Sequence, residues 1–167
     1  MSARDRVRMT DDEIRRYLQT GRAITLVTNG HRGHPHAMPM FYGLDDDLTV
    51  RFSTYGRSQK VRNIERDPRV SLLVESGEAY AELRGVMIEG RAEIVRDLEA
   101  TVATMVEAMG RAGEPLPAAD GFPREVKEQM AGKRVLIRVR PERFISWDHA
   151  KLAAAHTPSA LSPTTRR

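Results

Sequence analysis

The chain has 167 residues, 40 % of them apolar and 30 % charged, with a net charge of +4. That length suits one domain with a real core, or one subunit of a small oligomer, and no apolar run approaches the roughly 20 residues needed to span a bilayer. Cysteine is absent, which excludes disulfides, thiolate metal sites and cysteine nucleophiles.

The opening "MSARDRVRMTDDE" lacks the apolar core of a secretory signal, so the chain reads as cytoplasmic. Basic residues are interleaved with acids along the whole length rather than gathered into a stripe. Charge alone therefore fits anionic small molecules as well as nucleic acid, and binding to DNA would announce itself by a steep salt dependence.

"TDDEIRRYLQTG" predicts a short helix, with Thr10 and Glu13 as a capping box and Gly21 as its stop. "RAITLVT" (Arg22–Thr28) predicts a strand, "NGHRGHP" a turn, and "PHAMPMFYGL" a second strand. Pro35 and Pro39 place that second strand at an edge, a bulge or a ligand-facing bend. "LTVRFS" (Leu48–Ser53) is a third strand, and the three are expected to form a meander. "RSQKVRNIERD" has helical spacing, with Val61 and Ile64 three apart and Pro68 ending it.

"RVSLLVES" reads as a buried strand, followed by "AYAELRG" and "VMIEGRAEIV", where Gly85 and Gly90 mark a bulge or close strand packing. In "DLEATVATMVEAMGRA", Leu98, Val102, Met105, Val106 and Met109 fall on one helical face. "PREVKEQMA" is another short helix, and "RVLIRVRPERFISW" supplies two strands or one bent strand. The closing "AHTPSALSPTTRR" has the composition of a disordered tail. The fold class expected is mainly β with flanking helices, a small closed or partly closed antiparallel barrel. Residues 1–9 read as a flexible terminus, 10–152 as one domain, and 153–167 as the tail.

The most informative stretch is "FSTYGRSQKVRNIERDPRV", Phe52 to Val70. A strand ends, a tight turn follows, and a helix begins near Arg57 or Ser58. Unpaired amides at a helix amino terminus, the Ser58 hydroxyl, the Lys60 ammonium and the Arg57 guanidinium together suit phosphate. On spacing alone, the mixed charges fit a solvated helix face better. No Gly-x-x-x-x-Gly-Lys loop and no Gly-x-Gly-x-x-Gly fingerprint occurs.

That stretch resembles the pyridoxamine 5′-phosphate oxidase-like split-barrel flavoproteins. Ser58, Lys60, Asn63, Asp67 and Pro68 match the family's strand–turn–helix–strand module, and the likeness extends from Ile24 to Val95 and through "RVLIRVRPERFISWDHAKL". The resemblance implies a homodimeric split β-barrel with a flavin or deazaflavin at the subunit interface. It implies that Arg57, Ser58 and Lys60, with Asn63 beside them, hold the cofactor phosphate. Ser53 then lies near the ribityl phosphate, and Met38, Pro39 and Met40 lie along the ring. Trp147 matches an aromatic that can reach the partner subunit's pocket. Without the resemblance, Met38 and Met40 would be core or interface residues, and Trp147 a packing anchor.

Two departures separate the chain from the founding oxidase. Gln59 stands where that enzyme has arginine, and its carboxy-terminal arginine motif is absent, so oxidation of pyridoxamine phosphate is not implied. "RSQKVRN" is similar to the branch that uses coenzyme F420, with FMN as the alternative cofactor. The expected activity is hydride transfer from the reduced cofactor to an electron-poor small molecule, with neither nucleic acid nor membrane as partner. A cofactor carrier without turnover is the alternative. His31, His34 and His36 sit in a turn without the fourth ligand and fixed scaffold of a metal site, and His36 faces the cofactor if its strand does. Asp148 and His149 are adjacent on a strand and so point to opposite faces. No catalytic acid–base group can be assigned.

Overall fold

In the computed structural model, which describes residues 3–154, seven strands form one antiparallel curled sheet with helices at its margins. The strands are β1 (Ala23–Asn29), β2 (Pro35–Phe41), β3 (Gly43–Leu44), β4 (Val50–Tyr55), β5 (Arg69–Ser76), β6 (Arg84–Val95) and β7 (Arg134–Asp148). The helices are α1 (Ala3–Val7), α2 (Asp11–Thr20), α3 (Gln59–Arg66), α4 (Leu98–Ala112), α5 (Arg124–Ala131) and α6 (Ala150–Ala154). "AYAELRG" contributes a short 3-10 turn at Tyr80–Glu82 before β6 begins.

The sheet order is β2-β1-β5-β6-β7-β4-β3. This corrects the expected meander: β2 and β4 are not neighbours but lie near opposite ends of the sheet. Two features keep them apart. Pro39 has no N–H to offer along β2, and β3 pairs with β4 only at Gly43–Arg51 and Leu44–Val50. The β4 edge from Phe52 to Tyr55 is thus unpaired on that side, and the curled sheet stays split.

The long strands β6 and β7 carry the curl, because one end of β7 pairs with β4 while its other end pairs with β6 alone. Glu142 is the extra residue at a bulge, since Glu89 pairs with Arg143 and the next residue, Gly90, with Pro141. Alternation then sorts the side chains. Ile24, Leu26, Leu72, Val86, Ile88, Phe52 and Ile137 are fully buried on the inner face, where burying each large aliphatic or aromatic side chain is worth about 1.5–3 kcal/mol. On the outer face, Pro39, Thr25, Leu73, Met87 and Ile145 stand in register across five strands.

Helix α2 starts with the expected capping box: Thr10 Oγ1 accepts from the Glu13 amide at 3.3 Å, and Glu13 Oε2 accepts from the Thr10 amide at 2.7 Å. Lys151 donates to the same carboxylate at 2.6 Å, and these contacts hold Glu13 down at about 2. The segment 3–9 packs against the domain. Val7 and Met9 are buried, the Met9 amide donates to Ser146 Oγ at 3.1 Å, and Lys151 donates to the Arg8 carbonyl at 2.9 Å. Two apolar side chains in a charged segment were enough to anchor it. The expected tail lies outside the described residues beyond Ala154.

Helix α4 covers the sheet on the α4–β4–β7 side through Thr101, Val102, Thr104 and Ala108, all buried. The buried stripe is therefore rotated from the expected one: Met105 and Met109 are only half-buried. Arg51 fixes the helix, donating to Thr104 at 3.1 Å and Glu107 at 2.5 Å while pairing with Asp45 at 2.8 Å. No helix among the described residues is long and apolar enough to cross a membrane.

Candidate functional site

The split between the β2 and β4 edges forms a cleft of about 290 Å³. Pro39, Met40 and Phe41 line it from β2, Ser53 from β4, Met105, Ala108 and Met109 from α4, and Arg134 from β7. Its walls are mostly apolar with few polar groups, the usual make-up of a cofactor or small-molecule site. Arg134 stands with its guanidinium 4.3 Å from the centroid of the Tyr55 ring.

Beyond Tyr55 the chain turns into α3. The Gly56 amide donates to the Lys133 carbonyl at 3.0 Å, and the Ser58 amide to the Tyr55 carbonyl at 3.0 Å. Ser58 occupies the N-cap position of α3 with extended backbone, yet its hydroxyl caps nothing. Its Oγ is buried without a hydrogen-bond partner. Lys60, in the first turn, folds inward and is only 9 % exposed. Its one hydrogen bond goes to Thr54 Oγ1, at 3.1 Å, and burial pushes its ammonium below the usual lysine range.

Five buried side-chain atoms among the described residues lack a hydrogen bond: His36 Nδ1, Ser53 Oγ, Ser58 Oγ, Arg51 Nε and Arg84 Nε. The two arginine nitrogens sit 2.8 Å from Asp45 and 3.0 Å from Asp148, so both are electrostatically satisfied. The three true orphans all lie on β2 or on the β4–α3 segment. A buried polar group without a partner costs about 1–3 kcal/mol, so their restriction to β2 and the β4–α3 segment points to a polar guest.

Several cations stand near these atoms, and Lys60 among them is buried. Arg57, Lys60, Lys133 and Arg134 form no ion pair among the described residues, whereas Arg51, Arg84, Arg96, Arg111, Lys127 and Lys151 each meet a carboxylate. Arg57 is exposed and lines, with Tyr55 and Lys133, a second recess of about 460 Å³.

The residues singled out from sequence thus divide. Pro39, Met40 and Ser53 meet in the cleft, and Ser58 and Lys60 stand at the head of α3. Met38 is 39 % exposed at the free β2 edge and does not line the cleft. Asn63 is fully buried and committed: its Nδ2 donates to Thr28 Oγ1 at 2.9 Å, and its Oδ1 accepts from Gln59 at 2.8 Å. It bolts α3 to β1. Asp67 and Arg69 likewise close the helix, with Asn29 donating to Asp67 at 2.9 Å; the Arg69 and Asn29 contacts hold the Asp67 carboxyl well below the usual range.

Trp147 is on the outer face of β7, so close over Gly85 that a Cβ there would lie 2.3 Å from Trp147 Cζ2. It does not line the cleft of its own chain. Asp148 pairs with Arg84 at 3.0 Å, and His149 Nδ1 lies 2.9 Å from the Tyr80 carbonyl. His31 and His34 are exposed, and no group of three metal-binding side chains forms among the described residues. Sequence reasoning missed Arg134 and the part that Met105 and Met109 play. Only the half-apolar spacing of α4 hinted at the methionines, and nothing local marks Arg134.

Comparison with known proteins fits this geometry. A 5a,11a-dehydrotetracycline/5a,11a-dehydrooxytetracycline reductase of Streptomyces rimosus is 26 % identical over 125 residues, covering 73 % of this chain and 71 % of the relative. The crystal structure of the conserved hypothetical protein Rv2991 from Mycobacterium tuberculosis superposes with a TM-score of 0.78 at 37 % identity, covering 99 % of this chain and 100 % of that one. A structure described as an F420 reductase matches with a TM-score of 0.56 at 27 % identity, over 73 % of this chain and 87 % of the other. The profile described as Pyridoxamine 5′-phosphate oxidase matches residues 10–148. With the split sheet and the strand–turn–helix module in place, the chain belongs to the pyridoxamine 5′-phosphate oxidase family, in its split-barrel form.

Proposed function

We propose that this protein is a flavin- or deazaflavin-dependent oxidoreductase that binds its cofactor by phosphate at the head of α3 and by ring in the adjoining cleft. The observation that carries this reading is the row of orphan polar atoms beside an unpaired, buried lysine. Ser58 Oγ and the Lys60 ammonium are donors of the kind a phosphate needs, with Ser53 Oγ in the adjoining cleft. Pro39, Met40, Met105 and Met109 offer apolar walls to a flat ring. When bound, such a cofactor supplies hydride transfer.

The chain's own part is to bind, orient and exclude water. Lys60 and Ser58 neutralise and direct the phosphate, and β2 and α4 close over the cleft. Coenzyme F420 is the cofactor we favour, supported by the likeness to an F420 reductase and to a reductase of dehydrotetracyclines. FMN is the alternative. The substrate class is an electron-poor small organic molecule. Gln59, in place of the founding oxidase's arginine, argues against pyridoxamine phosphate as that substrate.

A fluorescence titration of the purified protein with coenzyme F420 and with FMN tests the reading. Tight binding of the deazaflavin with weak binding of FMN is expected; the reverse preference would move the chemistry to an ordinary flavin enzyme. If neither binds, the cradle is a solvated helix face. Oxidation of bound reduced cofactor by an enone or quinone panel separates an enzyme from a carrier.

A homodimer completes the reading. The outer row of Leu73, Met87 and Ile145 is apolar and continuous with the half-buried Trp147, the kind of surface a second copy covers. Sedimentation should give twice the chain mass, and Leu73→Arg should give monomers. A wild-type monomer with and without cofactor would refute the dimer.

A further inference from the structure

His36 is the orphan that the cradle described so far does not use. Its Nδ1 is buried with no hydrogen-bond partner, on a strand whose other members are exposed or half-buried. Nothing in the chain's own packing accounts for an imidazole nitrogen closed off in this way, since an edge strand could have turned the ring to water at no cost. A polar ligand atom would account for it.

Register says which part of a ligand that atom belongs to. His36 pairs with Thr28 across β1–β2. The Thr28 hydroxyl accepts from Asn63 of α3 at 2.9 Å and donates to the His36 carbonyl at 3.4 Å. The start of β2 is therefore tied, through one threonine, to Asn63, three residues and so about one turn along α3 from Lys60. Met40, which lines the apolar cleft, is four residues further along β2, or about 13 Å away at the usual strand rise. The apolar cleft and the polar end at His36 thus lie at two separate points along β2.

We infer that His36 is a third donor to the phosphate, its Nδ1–H pointing at the same anionic group as Ser58 and Lys60. This rests on the reading of the site given above. Ser58, Lys60 and His36 then grip the anion from both sides of the split, from β2 as well as from the head of α3. A phosphate held in that way also ties the two unpaired sheet edges together.

The test compares ligands with and without the phosphate, using the wild type, His36→Phe and His36→Gln; FMN and riboflavin are the pair that differs in nothing else. FMN is set against riboflavin, and coenzyme F420 against its phosphate-free ring–ribityl form. His36→Phe is expected to weaken the phosphorylated member of the bound pair about tenfold, the effect of one hydrogen bond to an ionised group, and to leave the other unchanged. His36→Gln keeps an N–H donor and should recover part of that loss. Independently of any cofactor, the Nδ1 resonance of His36 should shift in nitrogen NMR when millimolar inorganic phosphate is added.

An equal loss for both members of the pair would place His36 on the ring instead and overturn the inference. So would unchanged affinities together with an unmoved resonance. If the wild type binds none of the four ligands, the reading of the site itself falls and this inference with it. A variant whose far-ultraviolet circular dichroism departs from the wild type is replaced in the comparison by the other.

Discussion

Lys60→Met is expected to lower affinity for the phosphorylated cofactor by about 10- to 150-fold while raising the unfolding midpoint of the cofactor-free protein. The two effects share one cause. A charge-assisted contact to phosphate is worth about 1.5–3 kcal/mol, and methionine removes it while keeping the length of the stem. In the free protein the same ammonium is 9 % exposed with only a hydroxyl for company, so its burial is a cost that methionine does not carry. A residue kept for packing would show the opposite, a lower midpoint and an unchanged affinity.

The pH dependence follows from the direction of the shift. Burial depresses the native Lys60 below its ordinary value of 10.5. Below the native value both states are protonated and the burial penalty is complete. As pH rises through the native value towards 10.5, the unfolded chain binds the extra proton and the folded state gains stability. The advantage of Lys60→Met in the free protein should therefore be largest near neutrality and shrink as the solution becomes alkaline. Bound phosphate supplies the missing counter-charge, so a saturated wild type should lose that alkaline gain. Denaturant midpoints across pH, with and without cofactor, check both statements.

Phe52→Ala should give the largest loss of stability among single changes near the site, about 3–5 kcal/mol. Phe52 is fully buried on β4, between Ile137 of β7 and the open β4 edge. On that free edge no neighbouring strand stands ready to move into the void. Set against a total of about 5–15 kcal/mol for a domain, the change should lower the melting temperature by roughly 10–15 °C. Phe52 directly precedes Ser53 and Thr54, so affinity for the cofactor should fall as well. Phe52→Leu, which refills most of the volume, should lose less than half as much. A melting temperature for Phe52→Ala within 3 °C of the wild type would contradict the assignment of β4 as a core strand.

Much of the fold was legible because its signals are local. Thr10 and Glu13 announce the start of α2, alternation across Ile24, Leu26 and Thr28 marks the inner face of β1, and Pro68 ends α3. The resemblance added the split barrel, while the inward turn of Lys60 onto Thr54 shows only in the structure. Other assignments were not legible. The α4 stripe was misplaced because Thr101, Thr104 and Ala108, small enough to approach the sheet closely, outcompete the bulkier methionines for the buried face. Asn63 looked like a ligand residue because it stands in the module that resembles the family's, and only the position of Thr28, 35 residues away in the chain, shows its amide already engaged.

The sequence by itself determined where elements begin and end, which side chains share a face, and that a cationic turn joins β4 to α3. These are consequences of periods of 2 and 3.6 residues and of turn chemistry, all written within a dozen positions. Tertiary structure alone decided that β2 and β4 stand apart, that Arg134 and Met105 complete the cleft between them, and that Trp147 looks outward. Strand alternation says which residues point together but not which strand lies alongside. Whether a charge is buried, or a hydroxyl left without a partner, depends on segments that meet only when the sheet curls.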